Sequence, residues 1–108
     1  MIDIIKESVE KNDFIIVNRD KNKTFMRRFR LNHTSIKKIL LSLNYLSIEK
    51  IDEDINKNEF GGDPIVVLIE TCNLVNFHGE NEEVRIYIKI KMIKDKVVPV
   101  ISFHEAEF

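Results

Sequence analysis

Residues 85–107 constrain the fold of this chain more than any other segment. Two runs of alternating apolar and polar residues lie on either side of Lys94-Asp95, a pattern typical of an antiparallel β-hairpin. Because successive side chains on a strand point to opposite faces, the first run separates Tyr87, Lys89 and Lys91 from Ile86, Ile88 and Ile90. The returning run separates Ser102 and His104 from Ile101 and Phe103. The hairpin therefore predicts a phenol, ammonium groups, a hydroxyl and an imidazole over one surface of a sheet.

The N-terminal half predicts two helices with little regular structure between them. The apolar residues of 2–9 are spaced for a short amphipathic helix, and residues 14–18 predict a short buried strand. Residues 20–23 have the composition of a turn, and residues 24–29 predict a strand or a loop. A second helix, capped by Asn32 or Thr34, is predicted to end near Asn44. The acidic stretch 47–58 predicts irregular structure or a short helix.

The C-terminal half predicts long strands. Gly61-Gly62-Asp63-Pro64 breaks the chain, and the apolar run 65–69 is typical of a strand covered on both faces. Residues 74–77 extend that strand, and residues 78–81 form a hairpin turn into the strand that contains Ile86. Helices early and strands late predict an α+β fold, with an antiparallel β-sheet and N-terminal helices packed on one of its faces. Without linkers or repeats, residues 1–108 are expected to form a single domain.

Composition indicates a soluble, cytoplasmic protein without a metal site. The chain is 44% hydrophobic and 32% charged, typical of a globular protein. It has no apolar run of the roughly 18 residues that span a bilayer, and no signal peptide is apparent at its N-terminus. Cys72 is the only cysteine, which excludes an intrachain disulfide and a multi-cysteine zinc site. The three histidines have no spacing typical of metal ligands, and no cofactor motif is present.

Basic residues are concentrated in two segments, although the net charge is only −1. Residues 19–38 contain eight basic residues and one acidic residue, and residues 85–96 contain five and one. If the two segments adjoin in the fold, they form a surface that binds phosphate. The alternative is that these charges only solvate exposed faces.

The polar residues of the C-terminal hairpin suit the cleavage of RNA without a metal. That reaction needs a base for the 2′-hydroxyl, stabilisation of the charged phosphorane, and an acid for the departing 5′-oxygen. Histidine changes charge near neutral pH, so His104 is a candidate acid or base. Lys89 is a candidate for stabilising the transition state, and the Tyr87 hydroxyl is a candidate for positioning the phosphate or donating a proton. Taken singly, each of these residues is more consistent with an ordinary surface position on a strand, and it is their joint occurrence that favours a functional role.

The segments 86–90 and 100–107 resemble the C-terminal signature of the MqsR-type (motility quorum-sensing regulator) toxins, and a weaker resemblance extends over roughly residues 14–107. The resemblance implies a RelE-like fold and a metal-independent endoribonuclease that cleaves mRNA. It also implies a type II toxin–antitoxin system, in which a cognate antitoxin protein is the partner. No small-molecule cofactor and no membrane partner are implied.

Individual residues match the family pattern to different degrees. The strand tyrosine of the family falls on Tyr87, and its C-terminal lysine falls on His104. A further lysine of the family falls near Lys50, or on Lys57 if the loop differs. The family has a tryptophan segment where this chain has residues 65–67 and no tryptophan, which places base recognition and catalysis in question. The predicted catalytic residues are Tyr87, Lys89, His104 and Lys50, and the predicted RNA-binding residues are Arg27, Arg28, Arg30, Arg85 and Lys91.

Two other classes of function remain open. One is a non-catalytic protein-binding module, such as a phage-encoded inhibitor of a host defence complex, which would need the basic surface but no reactive cluster. The other is a regulator that binds nucleic acid, which is disfavoured because no recognition helix is evident.

Overall fold

The computed structural model describes residues 2–53, 64–92 and 98–107. In that part of the chain the helices are α1 (Ile2–Glu10), α2 (Asp20–Arg28) and α3 (His33–Leu41), with a 3₁₀ turn at Tyr45–Ser47. The strands are β1 (Phe14–Ile16), β2 (Ile48–Glu53), β3 (Pro64–Val75), β4 (Asn81–Lys91) and β5 (Val98–Glu105). The predicted turn at Lys94-Asp95 and the predicted break at 61–63 lie outside the described residues. The described helices include none long and apolar enough to cross a membrane.

The five strands form one sheet in the order β1-β5-β4-β3-β2. The four longer strands pair antiparallel, as the alternating patterns predict, whereas β1 pairs parallel with the first residues of β5. The sheet is therefore mixed at one edge. The turn between β3 and β4 is where the sequence places it, and Gly79 adopts a φ of 84° there, a conformation that glycine tolerates without strain.

All three helices pack on one face of the sheet, which confirms the predicted α+β architecture. The buried core joins residues of α1, α2 and α3 to alternate residues of β3, β4 and β5. Within β4 these are Val84, Ile86, Ile88 and Ile90, each at most 3% exposed. Burying such side chains is the main favourable contribution to folding.

Helix α2 corrects the prediction of a turn at 20–23 followed by a strand or loop. Its sequence is mostly polar, and its buried residues are Phe25 and Asn22. The Phe25 ring meets the Phe103 ring edge-on, with centroids 5.9 Å apart. No apolar period marks this helix in the sequence, because one of its two buried side chains is an amide.

Asn22 connects α2 to the backbone of β5 beyond the end of β1. Its side-chain amide donates to the Val17 and Ile101 carbonyl oxygens at 3.0 Å, and its Oδ1 accepts from the Phe103 N–H at 2.9 Å. The side chain is 1% exposed. It therefore satisfies buried backbone groups that a neighbouring strand would otherwise pair.

Strand β2 corrects the prediction of irregular or helical structure in 47–58, of which residues 54–58 lie outside the described part. A register shift between Ile48 and Lys50 leaves Glu49 without a paired residue on β3. This bulge interrupts the period of two that identifies a strand in a sequence.

A second bulge corrects the predicted facing of Ile101. Lys89 pairs with Ser102, but Ile90 pairs with Val100, so Ile101 is the extra residue. Val100 is 0% exposed and belongs to the core, whereas Ile101 is half-buried and lies outside the core cluster. The core-facing residues of β5 are consequently Val98, Val100 and Phe103.

Candidate active site on the polar face of the sheet

The face of the sheet opposite the helices carries most of the predicted catalytic chemistry, and we call it the polar face. Paired residues on neighbouring strands share a face, so the register defines its members. They are Lys50 from β2, Arg85, Tyr87, Lys89 and Lys91 from β4, and Ser102 and His104 from β5. The predicted grouping of Tyr87, Lys89, Ser102 and His104 on one face is thereby confirmed.

Tyr87 and His104 are directly paired and stack on one another. Their ring centroids are 5.4 Å apart and the ring planes differ by 21°. The His104 Nδ1 atom lies 3.0 Å from the Glu105 carbonyl oxygen. A neutral imidazole that donates from Nδ1 to this carbonyl presents an unprotonated Nε2, which can accept a proton from a substrate.

A second row of paired residues runs beside the stacked rings. From β2 to β5 it consists of Lys50, Val67, Lys89 and Ser102. The row is two residues along the strands from Tyr87 and His104, a distance of about 7 Å at the ordinary rise per residue. Val67 is 2% exposed although it lies outside the core cluster, which fits lysine side chains that cover apolar surface with their alkyl stems.

Arg19 is a further cation at this site, although it was not among the predicted site residues. Its Nη1 atom donates to the Ser102 hydroxyl oxygen at 3.3 Å. Ser102 is 3% exposed, so the guanidinium reaches the polar face from the start of α2. The signal in the sequence was the basic segment 19–38, but the sequence could not show which of its cations reach the hairpin.

The predicted RNA-binding arginines of α2 and the following turn lie elsewhere. Arg28 forms salt bridges with Glu82 at 2.6 Å and with Glu105 at 2.8 Å, on the side of the sheet that carries the helices. Arg30 donates to the Phe77 carbonyl oxygen at the turn between β3 and β4, and Arg27 is exposed. Arg19 of the first basic segment therefore contacts Ser102, the residue that pairs with Lys89 of the second segment, whereas Arg28 is engaged by two carboxylates.

These salt bridges fix the end of α2 to the sheet. The Asn76 amide and the Arg28 guanidinium, each hydrogen-bonded to Glu82, hold the pKa of that carboxyl below its ordinary value. The hydrogen bonds to Glu105 and Glu82 raise the pKa of Arg28. These groups keep their charges at neutral pH, so the network supports the position of Glu105 next to His104.

Other reactive groups in the described residues offer less for catalysis. Burial raises the pKa of the Cys72 thiol, with a further contribution from the Glu70 carboxylate, which disfavours the nucleophilic thiolate at neutral pH. Within residues 2–53, 64–92 and 98–107, no three His, Cys, Asp or Glu side chains are grouped so that they could hold a metal ion. Lys57, the alternative to Lys50, lies outside the described residues.

The polar face thus combines stacked Tyr87 and His104 rings with ammonium and guanidinium groups and a buried hydroxyl. An imidazole can transfer protons, and the cations can stabilise negative charge that develops on a phosphate. No protein-family model matches this chain, and no curated protein or solved structure matches it either.

Proposed function

We propose that this chain is the toxin of a type II toxin–antitoxin system and acts as a metal-independent endoribonuclease that cleaves mRNA in the cytoplasm. The observation that carries the proposal is the Tyr87–His104 stack, with ring centroids 5.4 Å apart, beside the row that contains Lys89 and Ser102. Aromatic rings on a sheet face are typical of surfaces that bind single-stranded RNA. A proton-transfer group lies within this pair.

The proposed reaction uses the 2′-hydroxyl of the RNA as its own nucleophile. His104 Nε2 removes the proton of that hydroxyl, the 2′-oxygen bonds to phosphorus, and the bond from phosphorus to the 5′-oxygen breaks. The departing oxygen takes a proton from the Tyr87 hydroxyl or from water. The products are a 2′,3′-cyclic phosphate and a 5′-hydroxyl end. Lys89, Arg19 and Lys50 stabilise the additional negative charge on the phosphorane.

Expression in a bacterium tests the biological side of the proposal. Induction of the wild-type chain should arrest growth and shorten many mRNAs, and co-expression of the cognate antitoxin should relieve both effects. The measurements are the growth rate and the length distribution of total mRNA after induction. The His104→Ala variant, produced to the same level, is the matched control and should leave growth and mRNA intact. Normal growth with intact mRNA on induction of the wild type would remove the toxin hypothesis.

Binding of RNA should depend on the cations of the polar face. With a 2′-O-methyl oligonucleotide that cannot be cleaved, Lys89→Gln and Arg19→Gln should each weaken binding. Each should also reduce the slope of log K against log salt concentration by about 0.7, the value for one lost contact with a single strand. Fluorescence anisotropy at several salt concentrations measures the slope.

Lys38→Gln is the control for this titration, because Lys38 is exposed on α3, a helix that packs on the opposite face of the sheet. Its slope should equal that of the wild type. The Arg27→Gln variant tests the predicted role of Arg27. An equal loss of slope in the Lys38 variant would indicate diffuse attraction and would contradict binding at the polar face.

Exposed apolar side chains give some support to the alternative of a non-catalytic protein-binding module. Tyr45 and Leu46, in the turn before β2, are 74% and 79% exposed, and Ile51 on β2 is 52% exposed. Large exposed apolar groups of this kind often lie in protein interfaces. An inhibitor of a host defence complex would need these residues but not His104, so a His104→Ala chain that keeps its biological effect would favour this alternative.

A further inference from the structure

A surface cleft of about 450 Å³ lies between α2 and residues 104–107, which form the end of β5 and the two residues after it. Its volume is within the range of sites for small molecules and nucleotides. His104 lines this cleft and also stacks on Tyr87 at the polar face. The cleft and the proposed site of phosphate chemistry therefore meet at a single side chain.

The two basic side chains of α2 that line the cleft each form an ion pair with a carboxylate. Lys21 is paired with Glu107 at 2.8 Å, and Arg28 is paired with Glu105 at 2.8 Å. The Lys21 ammonium holds the pKa of the Glu107 carboxyl below its ordinary value, so this pair stays charged at neutral pH. A phosphate would find no unpaired cation of α2 in the cleft, which indicates that a different part of a nucleotide fits there.

Asp20 and Thr24 supply the remaining polar groups of the lining, and Phe25 and Ala106 supply apolar surface. Among the described residues, the Asp20 carboxylate takes part in no hydrogen bond and no ion pair. An ionised carboxylate only accepts hydrogen bonds and can accept two from neighbouring donors. The cleft is thus suited to a flat group that presents N–H donors to Asp20.

We propose that this cleft receives one nucleobase of the RNA next to the scissile phosphate and selects it through the Asp20 carboxylate. This inference rests on the proposed endoribonuclease function. Proteins that recognise single-stranded RNA commonly read the hydrogen-bonding edges of unstacked bases. The order of preference follows from those edges. Guanine offers the adjacent N1–H and N2–H donors, whereas uracil offers one N–H between two carbonyl oxygens that a carboxylate repels.

The position of cleavage tests the selection. The wild-type protein should cleave a labelled RNA of mixed sequence preferentially beside guanine, at least about tenfold faster than beside uracil, the discrimination expected of one bidentate contact. The Asp20→Asn variant should lose that preference while it still cleaves. Asp3→Asn, the same substitution at an exposed position of α1, is the matched control and should cleave like the wild type. An unchanged guanine preference in the Asp20 variant would overturn the proposal.

A binding experiment separates failure of this inference from failure of the proposed function. Guanosine and uridine monophosphates, which share the same phosphate, are titrated into the ¹⁵N-labelled protein, and amide shifts are followed by NMR. Guanosine monophosphate should bind more tightly and shift the amides of Thr24 and Ala106, and Asp20→Asn should remove the difference. If guanosine monophosphate binds in this way and RNA is not cleaved, the proposed base site is supported and the proposed nuclease function is contradicted. Equal binding of the two nucleotides, or no shifts at the cleft, overturns the base site whether or not RNA is cleaved.

Discussion

Replacement of His104 by alanine is expected to lower the rate of RNA cleavage by about 10²-fold or more, the usual contribution of a positioned acid or base. The imidazole is half-buried at the polar face and contacts Tyr87, and its removal takes away the group that accepts the 2′-hydroxyl proton in the proposed reaction. The thermal midpoint should change little, because His104 is not part of the core. Single-turnover cleavage of a labelled RNA, together with thermal unfolding followed by circular dichroism, measures both quantities.

His78→Ala is the matched control for this prediction. His78 is exposed in the turn between β3 and β4, and its ring is tilted against that of Phe77 with centroids 4.0 Å apart, away from the polar-face pair. Its variant should cleave at the wild-type rate. Tyr87→Phe keeps the stacked ring and removes the hydroxyl, so a rate loss there isolates the role of that hydroxyl. Cleavage by His104→Ala at the wild-type rate would exclude His104 from the chemistry, and an equal loss of folding would assign it a structural role.

Replacement of Asn22 by alanine is expected to lower the free energy of unfolding by about 3 kcal/mol or more. Three hydrogen bonds to the backbone are lost, and each buried group left without a partner costs about 1–3 kcal/mol. A domain of this size has a total stability of about 5–15 kcal/mol. The thermal midpoint should therefore fall by roughly 10 °C or more. Urea unfolding and circular dichroism measure these changes.

Asn18→Ala is the control for the Asn22 variant, because Asn18 is exposed in the segment that connects β1 to α2. Its stability should remain within about 0.5 kcal/mol of the wild type, the usual range for a surface substitution. Similar losses in both variants would mean that the Asn22 hydrogen bonds are not what holds α2 against β5.

The sequence predicts those parts of the fold whose burial follows a regular period. The isoleucines of β4 alternate without interruption, and their register against β3 is continuous over eleven pairs. Helices α1 and α3 show their apolar positions for the same reason. The sequence does not reveal α2, since Asn22 provides much of its attachment and hydrogen bonds of an amide leave no hydrophobic pattern. It does not reveal β2 either, since the bulge at Glu49 breaks the alternation.

The candidate site is predictable from the sequence only in part: the face on which each side chain lies can be predicted, but its neighbours on other elements cannot. Tyr87 and Lys89 share a face by alternation alone, and the same argument holds for Ser102 and His104. The pairing of Tyr87 with His104 depends on the register of β4 against β5, which alternation within each strand does not determine. Arg19 and the cleft depend on where α2 docks, so no pattern within the hairpin could indicate them.

The bulge at Ile101 reverses which residue numbers, even or odd, face the core along β5. Before it, even-numbered residues such as Val98 and Val100 belong to the core, and after it, the even-numbered Ser102 and His104 belong to the polar face. Core residues nevertheless lie on both sides of the bulge, with Val98 and Val100 before it and Phe103 after it. Because Ile101 is the extra residue, its deletion should leave a regular strand in which Val98, Val100 and Phe103 still face the core and Ser102 and His104 still lie on the polar face. The deletion should remove only the local bend that a bulge gives to β5.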